Sequence, residues 1–126
     1  FEARQPVPDV NNTAAPDPEN PTSTWDFNPE ISPDGRTLFF GSLRAGGHGL
    51  GDIYVSFRSD DGWSEPRNLG PVVNSAEDEY HPTLSADGTT LYFARARFAP
   101  DVVRGRFMVV PVASIFGDAG PPIPIR

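Results

Sequence analysis

Apolar residues in this chain come in short runs, Leu38-Phe39-Phe40, Ile53-Tyr54-Val55, Leu91-Tyr92-Phe93 and Phe107-Met108-Val109-Val110, divided by stretches rich in Asp and Gly. β-Branched and aromatic side chains dominate the runs, and no window repeats an apolar residue at i, i+3, i+4 and i+7 over a useful length. The pattern predicts an all-β chain of short strands. Strands are expected at Pro29 to Ser32, Thr37 to Ser42, Asp52 to Arg58, Trp63 to Leu69 and Arg106 to Val112. Gly35, in Pro33-Asp34-Gly35-Arg36, supplies the positive φ that a tight turn between the first two requires. Leu38, Phe39 and Phe40 are consecutive, so apolar side chains point both ways and the strand must be covered on both faces. Leu38, Phe40, Ile53, Val55, Leu91 and Phe93 are the expected buried strand residues.

The string from Asn28-Pro29-Glu30-Ile31-Ser32-Pro33-Asp34-Gly35 through Thr37-Leu38-Phe39-Phe40 returns as His81-Pro82-Thr83-Leu84-Ser85-Ala86-Asp87-Gly88 through Thr90-Leu91-Tyr92-Phe93, at an offset of about 53 residues. A repeated strand, Asp-Gly turn and strand means units that bury their faces against one another. Residues 25–75 then form a first unit and 76–116 a second, whose outer strand, with Phe116-Gly117 lying where Trp63-Ser64 lay, is weak. Residues 1–24 are Pro-rich and extended, and 117–126 form a Pro-rich tail. Glu2 to Asn11 also resembles Glu65 to Asn74, sharing Glu, Arg, a Pro, a Val and the Asn, which is either an outer strand at 1–11 belonging to a preceding unit or a chance likeness of two Pro-rich stretches. Phe1-Glu2-Ala3-Arg4 reads as neither a signal peptide nor an initiator start.

The run Ile31-Ser32-Pro33-Asp34-Gly35-Arg36-Thr37-Leu38-Phe39-Phe40 resembles the TolB-like, WD-repeat-like β-propeller family, whose repeats carry a Ser-Pro-Asp-Gly turn between strands. Gly46-Gly47-His48-Gly49-Leu50-Gly51-Asp52-Ile53-Tyr54 and Trp63-Ser64-Glu65-Pro66-Arg67-Asn68-Leu69-Gly70 are similar to the version found beside OmpA-like domains in bacterial envelope proteins. The resemblance implies blades of four antiparallel strands, about two of them here, in a periplasmic or extracellular protein. It implies a non-enzymatic module binding protein or the cell envelope. The alternative is the propeller part of a secreted polysaccharide- or peptide-degrading enzyme whose catalytic residues lie elsewhere. Two blades cannot close a ring, so further blades or other copies of the chain are expected to cover the blade faces.

Composition narrows the chemistry. The net charge is −7 and all ten basic residues are Arg, which argues against nucleic acid as the partner despite the grouping of Arg95, Arg97, Arg104 and Arg106. Without cysteine there is no disulfide, thiolate metal site or Cys nucleophile. No apolar run reaches the length of a membrane-spanning helix.

With only His48 and His81, the chain cannot build a three-His metal site. Glu77, Asp78, Glu79 and His81 are the densest set of potential ligands, and their hard carboxylates suit Ca²⁺; the competing reading is an acidic surface loop that binds nothing. The glycines at 46, 47, 49 and 51 are not a phosphate loop, since no Gly-Lys-Ser/Thr follows. Asp52 is expected to fix this connection through backbone hydrogen bonds. No catalytic residues and no cofactor are expected: there is no Gly-x-Ser-x-Gly elbow, and Ser32-Pro33-Asp34-Gly35 lacks the spacing of a sialidase box. Trp25, Tyr80, Tyr92 and Phe98 are either a sugar-stacking platform or packing between units.

Overall fold

The structure is a computed structural model that describes residues 3–99, 102–117 and 120. It consists mostly of antiparallel strands in two sheets. The first contains β1 (Asp26–Ile31), β2 (Thr37–Ser42), β3 (Asp52–Ser59), β4 (Gly62–Trp63) and β5 (Arg67–Asn68). Both β4 and β5 pair with β3, so the outermost position is filled by two short pieces. The single outer strand expected from Trp63 to Leu69 is thus split at Ser64-Glu65-Pro66, where the proline cannot donate to a ladder. The second sheet is β6 (Asp78–Leu84), β7 (Thr90–Ala99) and β8 (Val102–Pro111) in that order. Its last strand begins at Val102 and not at Arg106, because β7 and β8 form a long hairpin where the first unit has its Gly-rich connection.

After β8 the chain forms α1 (Val112–Phe116), not an outer strand. Val112, Ile115 and Phe116 project together into the core, and Gly117 at φ 83° ends the helix. The spacing i, i+3, i+4 is helical, but over five residues it is too short to stand out in a sequence. The strand expected within residues 1–11 is likewise absent from its described part: residues 3–7 have no regular structure and 8–10 form a turn.

Register assigns each apolar side chain to a face. On the first sheet Phe39 pairs with Val55, Gly41 with Ile53 and Thr37 with Phe57, while Leu38 pairs with Ser56 and Phe40 with Tyr54 on the other side. The Phe39 face and the Leu91–Phe93 face of the second sheet enclose the main core of Phe39, Ile53, Val55, Phe57, Leu91, Phe93 and Val110. Leu38, Phe40 and Tyr54 form a second cluster with Val10, flanked by Val7 and Trp63. All six residues expected to be buried are buried, and β2 is covered on both sides throughout.

The repeats match in detail. Both inner strands carry a register shift, between Phe27 and Glu30 and between Tyr80 and Thr83, each with a positive-φ residue before a proline, Asn28 at 50° and His81 at 55°. Gly41 is the tight point of the first. A Cβ there would overlap the Cδ2–Cε2 edge of the Phe27 ring, whereas Ala94 stands at the matching place opposite Tyr80. Gly41→Ala is expected to cost about 1–3 kcal/mol by overpacking. Urea unfolding should show the loss, and Phe27→Leu in the same chain should recover part of it. A Gly41→Ala midpoint equal to wild type would show that the ring moves aside freely.

Candidate functional site

A carboxylate–arginine latch occurs twice, with the carboxylate at the same point of each repeat and the arginine drawn from different places, Arg44 just after β2 and Arg95 within β7. In the first unit Asp26, opening β1, accepts 2.6 Å from the Asn12 backbone N–H and 2.8 Å from the Arg44 guanidinium. Arg44 in turn donates 3.0 Å to the Val10 carbonyl and lies 5.2 Å from the Phe40 ring centre. In the second unit Glu79 of β6 accepts 3.0 Å from the Ser75 N–H and 2.6 Å from Arg95, which donates 2.7 Å to the Val73 carbonyl and lies 5.8 Å from the Phe93 ring. Val10 buries itself in the Leu38–Phe40 cluster as Val73 does beside Leu91 and Phe93. Residues 10–12 therefore do for the first sheet what 73–75 do for the second. The likeness of Glu2–Asn11 to Glu65–Asn74 lies in this packing, not in a strand. One element differs: the Asn74 amide pairs with both the N–H (2.8 Å) and the carbonyl (2.9 Å) of Ile53, standing in for a strand residue at the edge of the first sheet.

The four sequence candidates for metal binding are not brought together. Glu79 is fully buried and committed to Ser75 and Arg95, Asp78 accepts 2.7 Å from the Gly51 N–H, and Glu77 pairs at 2.7 Å with Arg106. His81 is exposed in the bulge, edge-on to Tyr80 at 5.2 Å. Among the described residues no three His, Asp or Glu side chains converge. The strand alternates their directions and each carboxylate already has protein donors. Asp52 does what its position implies: buried, it accepts from the His48 N–H, from Gly49 N–H at 3.1 Å and from Asn68 at 2.9 Å, closing the Gly-rich connection over the end of β3.

The two Asp-Gly turns are electrostatic twins. Ser32 donates 2.5 Å to Asp34 and Ser85 2.6 Å to Asp87, and the N–H groups of Arg36 and Thr89 each donate 3.0 Å to the same carboxylates. These hydrogen bonds, the serine hydroxyl's above all, lower the Asp34 pKa and hold that of Asp87 at about 2 against an ordinary 3.8. A carboxylate depressed in the folded state stabilises fully above its unfolded value, and that contribution is lost as the pH falls through the folded one. Stability should therefore decline as the pH drops from 3.8 toward about 2. The Asp34→Asn, Asp87→Asn double variant should be weaker at neutral pH and show a flatter decline in acid-dependent urea midpoints. Parallel curves for the two proteins would rule the turns out as the acid-sensitive element.

The aromatic candidates divide between the sheets. Trp25 is exposed at the start of β1, while Tyr80 and Tyr92 share the outward face of the second sheet; the Phe98 side chain lies outside the described residues. They do not form one platform. Sequence reasoning missed Phe107 and Val109. Opposite Ala94 and Tyr92 across the ladder, they stand with Tyr92 on a face that is 92%, 60% and 48% exposed at Phe107, Val109 and Tyr92 respectively. Strict alternation from buried Val110 would have found them. Among the described residues no helix is long and apolar enough to cross a membrane. No protein-family model, curated protein or solved structure matches the chain.

Proposed function

We propose that the chain is a non-enzymatic repeat module of the TolB-like β-propeller kind, its two sheets acting as successive blades. It serves as a protein- or envelope-binding scaffold of an exported bacterial protein. One observation carries the reading: the sheets stack in the same sense, the Phe39 face of the first on the Leu91 face of the second. Stacking in one sense leaves the next equivalent face, that of Tyr92, Phe107 and Val109, without a cover. Soluble proteins keep such apolar groups for contact with other molecules. The commitment of Asp26, Asp52 and Glu79 to structural partners points the same way, since each carboxylate already accepts three hydrogen bonds from the protein.

Binding of a hydrophobic dye to dilute protein tests this. The wild type should enhance its fluorescence, and Phe107→Asp should lower the signal severalfold with the circular dichroism unchanged, because the ring is 92% exposed and supports no core. A wild type that leaves the dye dark, or a signal indifferent to Phe107→Asp, would overturn the reading.

A further inference from the structure

The junction between the two sheets is a template for a second junction that the chain does not make with itself. Within the chain, the Phe39–Val55 row of one unit lies on the Leu91–Phe93 row of the next, and the flanking Leu84 packs against that core. Under the repeat, the outward Tyr92–Val109 row corresponds to Phe39–Val55, and the Leu38–Phe40 row to Leu91–Phe93. Ile31, paired with Leu38 as Leu84 is with Leu91, takes the place of Leu84. Yet Ile31 is 49% exposed, and Tyr92, Phe107 and Val109 are exposed too. The two ends of the molecule thus carry complementary halves of a junction already formed in its middle.

Val10 takes the place that Val73 holds in the completed junction, and with Val7 and Trp63 it covers the Leu38–Phe40 row, so an incoming face meets the exposed Ile31 edge and this cover. Charge agrees with the pairing of unlike ends. Arg97 and Arg104, Cα partners on the β7–β8 hairpin, are exposed and without an ion pair among the described residues, whereas the N-terminal segment presents Asp9, Asp17 and Glu19 to solvent. We infer that the chain associates head to tail with copies of itself, the Tyr92–Phe107–Val109 face of one copy docking on the Ile31–Leu38 end of the next. Such an interface joins two different surfaces, so each copy keeps one free end and the assembly grows until it closes into a ring or continues as a filament. The inference rests on reading the open face as a binding surface.

Sedimentation velocity with two variants decides it. Wild type should grow in size with concentration, and Phe107→Asp and Ile31→Asp should each remain monomeric alone. Mixed, they should give a 1:1 complex and nothing larger, because each supplies the surface the other has lost. If either variant fails to fold, Val109→Lys or Ile31→Gln takes its place. An Ile31→Asp protein that still dimerises, with no gain on mixing, would mean that open faces meet like to like, and the head-to-tail arrangement is wrong. A wild type that binds dye yet stays monomeric at its highest soluble concentration also refutes self-association, while leaving the scaffold reading intact.

Discussion

Glu79→Ala is expected to destabilise the protein by about 3–5 kcal/mol, the range for removing one partner of a buried ion pair. The carboxylate is fully buried and accepts from the Ser75 N–H at 3.0 Å, the Ser75 hydroxyl at 2.5 Å and Arg95 at 2.6 Å. Truncation leaves the Arg95 guanidinium largely out of water without its counter-charge, and frees the donors that tie the 73–75 connection to β6. A small domain has a total stability of about 5–15 kcal/mol, so this one change takes a large share of it. The twin latch gives the internal control. Asp26 and Arg44 retain 18% and 17% side-chain exposure, so Asp26→Ala should cost less, about 1–3 kcal/mol. Urea unfolding of both variants checks the order. If Glu79→Ala cost no more than Asp26→Ala, burial would not be what distinguishes the two latches.

Phe40→Ala carries the second large effect, about 3–5 kcal/mol, as for other buried Phe truncations. Its ring is 3% exposed and stacks on Tyr54 at 6.2 Å under the Arg44 guanidinium, with Val10 completing the cluster. Removing it takes away the surface on which the N-terminal segment rests. The loss should therefore appear twice, as a lower thermal midpoint and as faster proteolysis within residues 3–25. Phe39→Ala should lower the midpoint comparably with a smaller effect on that proteolysis, since Phe39 faces the other sheet. An unchanged midpoint for Phe40→Ala would mean that the segment and its cluster do not contribute to the fold.

The antiparallel strands, the turns and the buried rows were legible because each leaves a local mark. Alternation and β-branching mark the strands, Asp-Gly marks the turns, and the recurrence of Ile31–Phe40 as Leu84–Phe93 marks the unit. Asp52 was legible for the same reason: its partners His48 and Gly49 are near neighbours in the chain. The candidate metal residues lie apart because crowding in sequence says nothing of direction; along β6 neighbouring side chains alternate, and Glu79 meets an arginine from another strand.

By itself, then, the sequence determined two repeated units of antiparallel strand and the identity of the side chains with a buried face. Which face meets which was decided only in three dimensions. Leu38 and Phe39 are equally apolar neighbours, and nothing local says that one belongs under the N-terminal segment and the other against the second sheet. The pairing of Asp26 with Arg44 and Val10, the turn of α1 back onto Phe39 and Phe57, and the exposure of Phe107 likewise depend on residues far apart in the chain. Burial is a property of the assembled layers: a side chain's own hydrophobicity sets the free energy that covering it would release, and only the packing of the sheets determines whether anything covers it.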